Sequence, residues 1–469
     1  MSSPESAGLS NINAYGQTLH GGLLECRQTP GKGRVVIATR SFKPGELILK
    51  EGPLKSVVEE HDCLAFQKLC NLCQEKEDDF DFEPLWYWCA LKCLTKEQLK
   101  GAFGGGWEAV SEDIQTKLLL LHREKEPLES KPGSSARVLW QEIAPGASPE
   151  VIEALTQAWV LNSFDFSEEP TGYCTYFYSS FMSHSCFPNA FWHYEGHDHV
   201  VRARRDIAVG DEVCISYLSE DWLLRSAPER RWDLHETKHF WCDCERCTGA
   251  DDQSRGLRCP SCKQGAIFPP TPGRSPARSE RPPLGDLKGA ICSQCKHAVT
   301  ADEADEMATQ EQSLKVMLDE LNERSENGDE VLSTSEAEEV EGLIERSFLQ
   351  HYLADLAWEH LVAFYSSQRR RADKQRVLRN RCCFACEAYP AYSAQHAWAM
   401  EACADALCWK GSIAEDLEEA LHYYSEAHHI LRILYAEEDD HVTGLIRKFS
   451  KANERFEAAK AALKPLAKA

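Results

Sequence analysis

Positive charge is scarce in this sequence. Lys and Arg number 52 against 75 Asp and Glu, which leaves a formal net charge of -23 at pH 7. Direct binding to the phosphates of DNA or RNA requires clustered Lys and Arg. The sequence therefore argues against a nucleic-acid ligand and favours a basic protein partner.

Long apolar runs are absent too. A membrane-spanning helix needs about 20 consecutive apolar residues, and no stretch of the sequence approaches that length. The start, MSSPESAGLSNINAYGQ, has neither the basic nor the apolar segment of a secretion signal. We therefore expect no membrane partner and a location in the cytoplasm, the nucleus or both.

Cysteine, in contrast, is abundant, with 21 residues in a chain of 469. Reducing compartments disfavour disulfides, so closely spaced cysteines there more often bind a metal. Scattered core cysteines would explain single residues, whereas short-range clusters have the spacing of tetrahedral zinc ligands. The clusters are Cys70/Cys73, Cys89/Cys93, Cys242/Cys244/Cys247, Cys259/Cys262 and Cys292/Cys295.

The chain is long enough for more than one core, and its patterns change along its length. Residues 22–58 alternate apolar and polar positions between turn signals, which predicts strands. The segments SEDIQTKLLLLH and PEVIEALTQAWVLNSF begin with helix-start residues, and strand patterns return at 189–217 with a hairpin around Gly196. Residues 270–289 are rich in Pro, Arg and Gly, which predicts a mobile loop.

The last third of the sequence has the apolar period of helices. Small Ala420 and Ala427 alternate with bulky Tyr424 and Leu431, an interleaving that helix-turn-helix repeats use for close packing. Three cysteines on one of these helices either offer thiolates or lie in the core, and their apolar and basic neighbours favour the core: Cys382, Cys383 and Cys386.

Four segments, in this order, carry a resemblance: GKGRVVIATRSFKPGELILKEGP (31–53), SHSCFPNA (183–190), GDEVCISYL (210–218) and FWCDCERC (240–247). Together they resemble a SET domain with its post-SET cysteines. The insertion between the first two segments and the C-terminal helices resemble those of the SET- and MYND-domain (SMYD-like) protein lysine methyltransferases. The resemblance implies an α+β fold, in which a β-rich, split SET domain with a zinc-bound post-SET segment precedes an all-α tetratricopeptide-like domain.

The resemblance also divides the chain. The implied parts are the N-terminal part of the SET domain (22–60), a degenerate MYND-like zinc finger (61–95), a helical insertion (96–165), the SET core (166–238), the post-SET segment (239–249), a zinc ribbon with a mobile loop (250–300), an acidic helical linker (301–345) and the tetratricopeptide-like helical domain (346–469).

The activity implied by the resemblance is S-adenosylmethionine-dependent N-methylation of a protein lysine. Methyl transfer to an amine is an in-line displacement, so the enzyme must align a neutral lysine nitrogen with the methyl carbon. Lysine has an unperturbed pKa of ~10.4, and an apolar aromatic channel favours its neutral form. Tyr217 is implied as the catalytic residue at the end of that channel, and Phe164 as its wall. The implied cofactor-binding residues are Lys32, Gly33, Arg34, Asn162, Ser180, Ser183, His184, Tyr217 and Phe240.

Two positions depart from the family pattern. Ser183 stands where the family usually has Asn, and Lys238 stands where it often has a second channel tyrosine. A serine is shorter than an asparagine, and a lysine in the channel opposes a substrate ammonium group. Two functions therefore stay open: a methyltransferase for a histone or non-histone protein, and a SET-fold interaction module with little or no turnover. The presence of Tyr217, Asn162 and Phe240 favours the first.

The resemblance assigns structural zinc ions as well. The three thiolates of CDCERC need a fourth ligand, which in the family is the cysteine of the H-S-C motif, here Cys186. We expect about three zinc ions, one in each of three sets: Cys186, Cys242, Cys244 and Cys247 (post-SET); Cys70, Cys73, Cys89 and Cys93 (half of a MYND finger); and Cys259, Cys262, Cys292 and Cys295 (ribbon). The implied partners are a protein substrate whose target lysine lies in a basic segment, and a protein bound by the C-terminal helices.

Overall fold

The structure is a computed structural model of the chain, and it describes residues 4–105, 107–124, 133–271, 285–327 and 332–463. Most of the predicted mobile loop at 270–289 lies outside the described residues. Within the described ranges, each helix is too short or too polar to cross a bilayer.

The first element is a helix that the sequence patterns did not predict. Helix α1 (Pro4–His20) packs against strands β1 (Leu24–Thr29) and β3 (Leu47–Glu51). The Asn13 amide donates to the Cys26 carbonyl at 2.9 Å, and the Cys26 N–H donates back to Asn13 Oδ1 at 2.7 Å. Ile12 is completely buried. This helix therefore closes one side of the β-rich core.

The predicted strand-rich start and the hairpin around Gly196 are confirmed. Small sheets form the core: β1 pairs with β2, the order β4-β6-β5 makes a second sheet, β3-β9-β8 a third, and β7 pairs in parallel with β10. The segment GDEVCISY holds only the two-residue strand β10. The remaining strands are β2 (Gly33–Ala38), β4 (Lys55–Val58), β5 (Phe164–Glu168), β6 (Thr171–Thr175), β7 (Ser183–His184), β8 (Ala190–Glu195), β9 (Asp198–Ala203) and β10 (Cys214–Ile215).

Helices fill the insertion between the two halves of these sheets. The predicted helix starts are confirmed, because Ser111 and Ser148 accept backbone N–H bonds as N-caps. The helices are α2 (Leu64–Glu75), α3 (Pro84–Leu91), α4 (Glu112–Leu120), α5 (Ser134–Glu142) and α6 (Pro149–Asn162). Their buried faces share one apolar core with the strands.

The region predicted as an acidic linker is packed. Helix α8 (Ala301–Glu326) and helix α9 (Thr334–Ser347) each start with a capping box. Glu311 on α8 is buried and receives two hydrogen bonds of 2.6 Å from Arg255. Arg255 begins β11 (Arg255–Arg258), which lies between β12 (Ala266–Ile267) and β13 (Phe348–His351). The apolar residues of α8 and α9 thus join the core of the cysteine-rich region.

The C-terminal helices pack one against the next in chain order, as the sequence predicts. Ala420, Tyr424, Ala427 and Leu431 are all buried at these contacts. The helices are α10 (Tyr352–Ser367), α11 (Arg371–Ala388), α12 (Ala394–Leu407), α13 (Ala414–Leu434) and α14 (Asp440–Leu463); α7 (Ala227–Lys238) precedes the post-SET segment.

The core assignment of the α11 cysteines is right for one residue only. Cys382 is buried against Leu378 and Cys403, but Cys383 and Cys386 are exposed. Position 383 lies about 100° around the helix from Cys382, whereas position 386 lies on the same side one turn further along, close to the end of α11 at Ala388.

Candidate active site

The post-SET segment and the SHSC motif meet in one group of thiols. Cys186 Sγ lies 3.9 Å from Cys242 Sγ and 3.5 Å from Cys247 Sγ, and all four sulfurs, including that of Cys244, are within 4.8 Å of one another. Thiolates at ~2.3 Å from one tetrahedral zinc ion are separated by ~3.8 Å. The group therefore fits a structural zinc ion with the predicted ligands.

A buried arginine, Arg230, and a half-buried one, Arg246, lie beside this group. Arg230 Nη2 donates to Cys247 Sγ at 3.6 Å, which places a cation beside thiolates that carry excess negative charge when they hold zinc. Arg246 donates to the Cys186 carbonyl at 3.4 Å and to the Ala388 carbonyl at 3.0 Å. The second arginine thus links the post-SET segment to the end of α11.

The ribbon cysteines form a second group. Cys259 Sγ lies 3.7 Å from Cys295 Sγ, and Cys262 Sγ lies 3.8 Å from Cys292 Sγ. Backbone N–H groups of Gly265 and Gln294 donate to the thiols of Cys262 and Cys292, each at 3.4 Å. These distances match those at a four-thiolate zinc site, as predicted.

The structure does not bring together the four cysteines predicted as a half-MYND zinc site. Cys70, Cys73, Cys89 and Cys93 do not form a metal-binding group anywhere in the described chain. Cys89 and Cys93 are completely buried in the shared core, where Trp159 Nε1 donates to Cys93 Sγ at 3.2 Å. Burial raises the pKa of the Cys93 thiol to about 12, so it stays protonated. These cysteines act as apolar core residues.

The purified protein is expected to contain two zinc ions per chain, because two groups have the distances of a tetrahedral site. Elemental analysis by mass spectrometry measures this number. Cys262→Ser should lower the content to one, whereas Cys70→Ser should leave it at two. A wild-type content of three zinc ions per chain would support the half-MYND zinc site after all.

His184 connects the thiol group to Tyr217. The Tyr217 N–H donates to His184 Nδ1 at 2.9 Å, so the proton is on Nε2, which donates to Cys186 Sγ at 3.2 Å. Burial lowers the pKa of His184 to about 3, which keeps the ring neutral. Phe240 faces both rings, with centroids 6.0 Å from His184 and 6.3 Å from Tyr217.

The Tyr217 hydroxyl points inward although 39% of the residue is exposed. It donates to the Met182 carbonyl at 2.6 Å. Burial of the hydroxyl, and then the negative charges of Cys214 and Glu212, raise the pKa of Tyr217 above its ordinary value. The phenol is therefore a neutral hydrogen-bond donor at physiological pH and cannot serve as a base.

The glycine turn leaves open space above its backbone. Gly31 and Gly33 have φ of 84° and 80°, and a Cβ on either would meet no described atom within 4 Å. Lys32 Nζ lies 2.7 Å from Glu212 Oε2. Arg34 donates to the Leu120 carbonyl, and burial lowers its pKa. This side chain therefore faces the insertion helices.

The other predicted cofactor residues are Asn162, Ser180 and Ser183. Asn162 ends α6 and donates to the His122 carbonyl at 2.9 Å and to the Ala158 carbonyl at 2.7 Å. Its amide N–H groups are thus taken, and its oxygen is what it offers a ligand. Ser180 donates to the Tyr176 carbonyl, and Ser183 pairs with Cys214 in the short parallel ladder.

Phe164 and Lys238 lie at one edge of the site. The Phe164 ring is 5.2 Å from Tyr176, 5.6 Å from Trp192 and 5.0 Å from His199, all in edge-on contacts. Lys238 ends α7 and is half-buried; burial lowers its pKa, and the charge of Asp165, next to Phe164, opposes this. Aromatic rings and a desolvated amine therefore share this edge.

Sequence reasoning missed the carboxylate that holds the start of the SHSC segment. Glu51 is completely buried and accepts the N–H groups of Tyr178 and Ser179 at 2.8 and 2.9 Å. A signal was available, because Glu51 follows Leu49 by two positions and so shares its inward face of β3. Burial raises the pKa of Glu51, and these bonds oppose the rise.

Parts of the chain are similar in sequence to known proteins. The SET domain family matches residues 33–218. Histone-lysine N-methyltransferase SMYD3 of Homo sapiens is 42% identical over 72 residues, which are 15% of this chain and 16% of that protein. N-lysine methyltransferase SMYD2-B of Xenopus laevis is 24% identical over 263 residues, 48% of this chain and 60% of its own length. N-lysine methyltransferase SMYD2 of Gallus gallus is 26% identical over 288 residues, with shares of 50% and 62%.

Among solved structures, the SET domain of LSMT bound to lysine and AdoHcy aligns over 98% of this chain and 96% of its own, with 12% identity and a TM-score of 0.29. The chain spans less than two thirds of the length of the curated relatives named above. Residues 33–218 match the SET domain family, and about half of the chain is similar in sequence to SMYD lysine methyltransferases.

Proposed function

We propose that this protein is an S-adenosylmethionine-dependent protein-lysine N-methyltransferase. The observation that carries the proposal is the four-thiol group of Cys186 and the post-SET cysteines, which brings Phe240 to the rings of His184 and Tyr217. The substrate is a histone or non-histone protein, met in the cytoplasm or the nucleus.

The residues around the glycine turn fit a nucleoside-type cofactor. The backbone of Gly31 and Gly33 is open to a ligand, and the Phe240 ring offers a face on which a base can stack. Of the predicted cofactor residues, Lys32 is exposed at the turn, and Asn162 keeps its amide oxygen for a ligand. S-adenosylmethionine, when bound, supplies an electrophilic methyl group to this site.

The chain's own residues prepare the lysine. The aromatic edge formed by Phe164, Tyr176 and Trp192 penalises a charged amine, so a target lysine loses its proton to water on entering. Tyr217 stays protonated and orients the reacting groups through its fixed ring and hydroxyl. No general base from the chain is required, because the amine arrives neutral.

A cavity next to the aromatic edge can accommodate the basic segment of the substrate. A cavity of about 520 Å³ is lined by β5, β6 and the β8–β9 turn, and its residues include Asp165, Glu168 and Tyr173. The two carboxylates favour basic neighbours of the target lysine. This arrangement supports a protein substrate with a cationic segment rather than a nucleic acid.

Two residues also support the second function, that of an interaction module. Ser183 and Lys238 both depart from the family pattern, and Lys238 places an amine at the aromatic edge where a substrate lysine would enter. These two positions favour a SET-fold interaction module with weak or no turnover. Its partner would bind the same cavity or the C-terminal helices.

Two measurements separate the functions. Calorimetry with S-adenosylmethionine tests cofactor binding, and radiolabelled cofactor with whole-cell lysate tests methyl transfer. Binding together with label on a protein lysine supports the methyltransferase. Binding without label supports the interaction module, and no binding overturns the proposal.

Ser183→Asn is expected to tighten S-adenosylmethionine binding several-fold. The longer amide adds one hydrogen-bonding group beside His184, which is worth ~1 kcal/mol. Calorimetry measures the change, with Ser313→Asn on the exposed face of α8 as the control. Weaker binding by Ser183→Asn would mean that the pocket is built around the serine.

A further inference from the structure

A second cavity, of about 380 Å³, lies between β8 and the turn that joins α13 to α14. Residues 190–194 of β8, with Ser216 and residues 218–220, line one side, and Tyr435, Asp439 and His441 line the other. Trp192 belongs both to this cavity and to the aromatic edge. The proposed methyl transfer uses none of the residues from the α13–α14 turn, so these residues distinguish the cavity from the lysine channel.

His193 is one of the residues that line this cavity, and its ring has no hydrogen-bond partner among the described residues. It is 7% exposed, and neither ring nitrogen has a hydrogen bond to any described residue. Its Nε2 lies 3.5 Å from Glu195 Oε1, a long contact, and that carboxylate is paired with Lys50 at 2.8 Å. A buried polar group left unpaired is destabilising, and a bound ligand with a polar group would supply the missing hydrogen bond.

The histidine ring is neutral. Burial is the main cause that lowers the pKa of His193; Arg202 lowers it further, and Asp439 and Glu195 oppose the shift. A neutral imidazole has one N–H donor and one acceptor nitrogen. The acceptor suits a ligand with N–H groups.

Aromatic rings form a wall of the cavity. The Tyr435 centroid lies 5.1 Å from Phe191, 4.9 Å from His193 and 5.1 Å from His441. The face of a tyrosine ring attracts a cation within about 6 Å. Because the carboxylate of Asp439 is near enough to act on Tyr435, this ring can contribute to the binding of a cation here, unlike the uncharged aromatic edge.

The charges at the cavity favour a cation too. Arg204 and Glu220 form a buried ion pair, and Arg204 also donates to Tyr389 Oη at 2.7 Å. The lining residues then retain one uncompensated carboxylate, that of Asp439, which accepts the His441 N–H at 2.8 Å. Asp439 belongs to the acidic run at 437–440, which forms the turn.

We propose that this cavity binds the ammonium group of a lysine side chain of the protein substrate, other than the lysine that is methylated. The three N–H groups of an ammonium match the acceptor nitrogen of His193, the carboxylate of Asp439 and the face of Tyr435. The identity of the protein that carries this lysine rests on the proposed function. The preference of the cavity for an ammonium group does not.

The first test observes His193 in the full chain. The protein is labelled with ¹⁵N-histidine and titrated with Nα-acetyl-lysine amide, and the ring signals of His193 are assigned by their loss in His193→Gln. We expect these signals to shift with this probe but not with Nα,Nε-diacetyl-lysine amide, which has no charge. Equal shifts with both probes, or no shift, would overturn the proposal.

Charge variants complete the test. Asp439→Asn should weaken binding of the lysine probe at least fivefold. Glu438→Gln, which removes an equal charge from an exposed neighbour outside the cavity, should leave it unchanged. Thermal unfolding of each variant checks that the fold is kept. Equal weakening by both variants would show that only the overall charge of the turn matters, and would overturn the cavity as the site.

Methyl-transfer kinetics place the site in substrate recognition. With a protein substrate from the lysate screen, Asp439→Asn should raise KM and leave kcat unchanged, because the ammonium contact lies outside the transfer step. If methyl transfer occurs but the His193 ring signals do not shift with the lysine probe, the cavity proposal alone is overturned. If the His193 signals shift but no methyl transfer occurs, the proposed function alone is overturned.

Discussion

Replacing Tyr217 with phenylalanine is expected to lower methyl transfer at least tenfold while cofactor affinity stays within a factor of two. The ring is kept, together with its contact to Phe240, and the backbone bond to His184 does not depend on the side chain. Only the hydroxyl and its 2.6 Å bond to the Met182 carbonyl are lost. A tenfold loss corresponds to ~1.4 kcal/mol of transition-state stabilisation, which is the scale of one oriented hydrogen bond.

The measurement is single-turnover transfer of radiolabelled methyl groups, with calorimetry for the cofactor. Tyr392→Phe removes an equivalent hydroxyl from the connection between α11 and α12 and should change neither quantity. If Tyr217→Phe transferred methyl groups at the wild-type rate, Tyr217 would be a structural residue at the end of a strand. If the cofactor affinity fell with the rate, the hydroxyl would act on binding rather than on transfer.

Local patterns determined the parts of the fold that the sequence predicted. Ser111 and Ser148 are the N-caps of α4 and α6, the two helices predicted at these places. Gly196, with φ of 63°, lies in the turn of the β8–β9 hairpin. The ribbon zinc site is of the same kind, because its cysteines come in pairs whose spacing brings two thiols together. Cys186 is not local to the post-SET cysteines, and only the family resemblance connected them.

The structure does not bring the predicted half-MYND cysteines together, and burial explains why. Cys89 and Cys93 have the spacing of a ligand pair, but α3 is buried nearly throughout, and Cys89 on α3 and Cys93 just after it pack in the core beside Trp88 and Trp159. Sequence spacing reports which thiols are near each other, whereas a metal site also needs a second pair to face them. The position of Cys70 relative to Cys89 depends on how α2 packs on α3, and no local pattern encodes it.

The buried polar contacts of the site could not be predicted from the sequence either, because they too depend on how distant elements pack together. Glu51 is far in sequence from Tyr178 and Ser179, and Arg246 reaches Ala388 at the end of α11. Each of these side chains is recognisable only once the strand or helix that buries it is in place. The aromatic and histidine residues of the second cavity, such as His193 and Tyr435, likewise come from distant segments.

Cys186→Ser is expected to abolish the post-SET zinc site and to lower methyl transfer by at least about 100-fold, or ~2.7 kcal/mol in the barrier. The remaining three thiolates of Cys242, Cys244 and Cys247 cannot complete a tetrahedral set, so zinc is released and the segment loses its connection to the SHSC motif. Phe240, two residues before Cys242, then leaves the rings of His184 and Tyr217.

The matched control is Cys262→Ser, the same substitution in the ribbon. Both variants should fall from two zinc ions to one by elemental analysis, but only Cys186→Ser should lose cofactor binding and methyl transfer. Because the zinc loss is equal, the difference in activity isolates the role of the post-SET ion in positioning Phe240. Equal activity losses in the two variants would mean that zinc stabilises the whole chain and that Cys186 does not act specifically on the site.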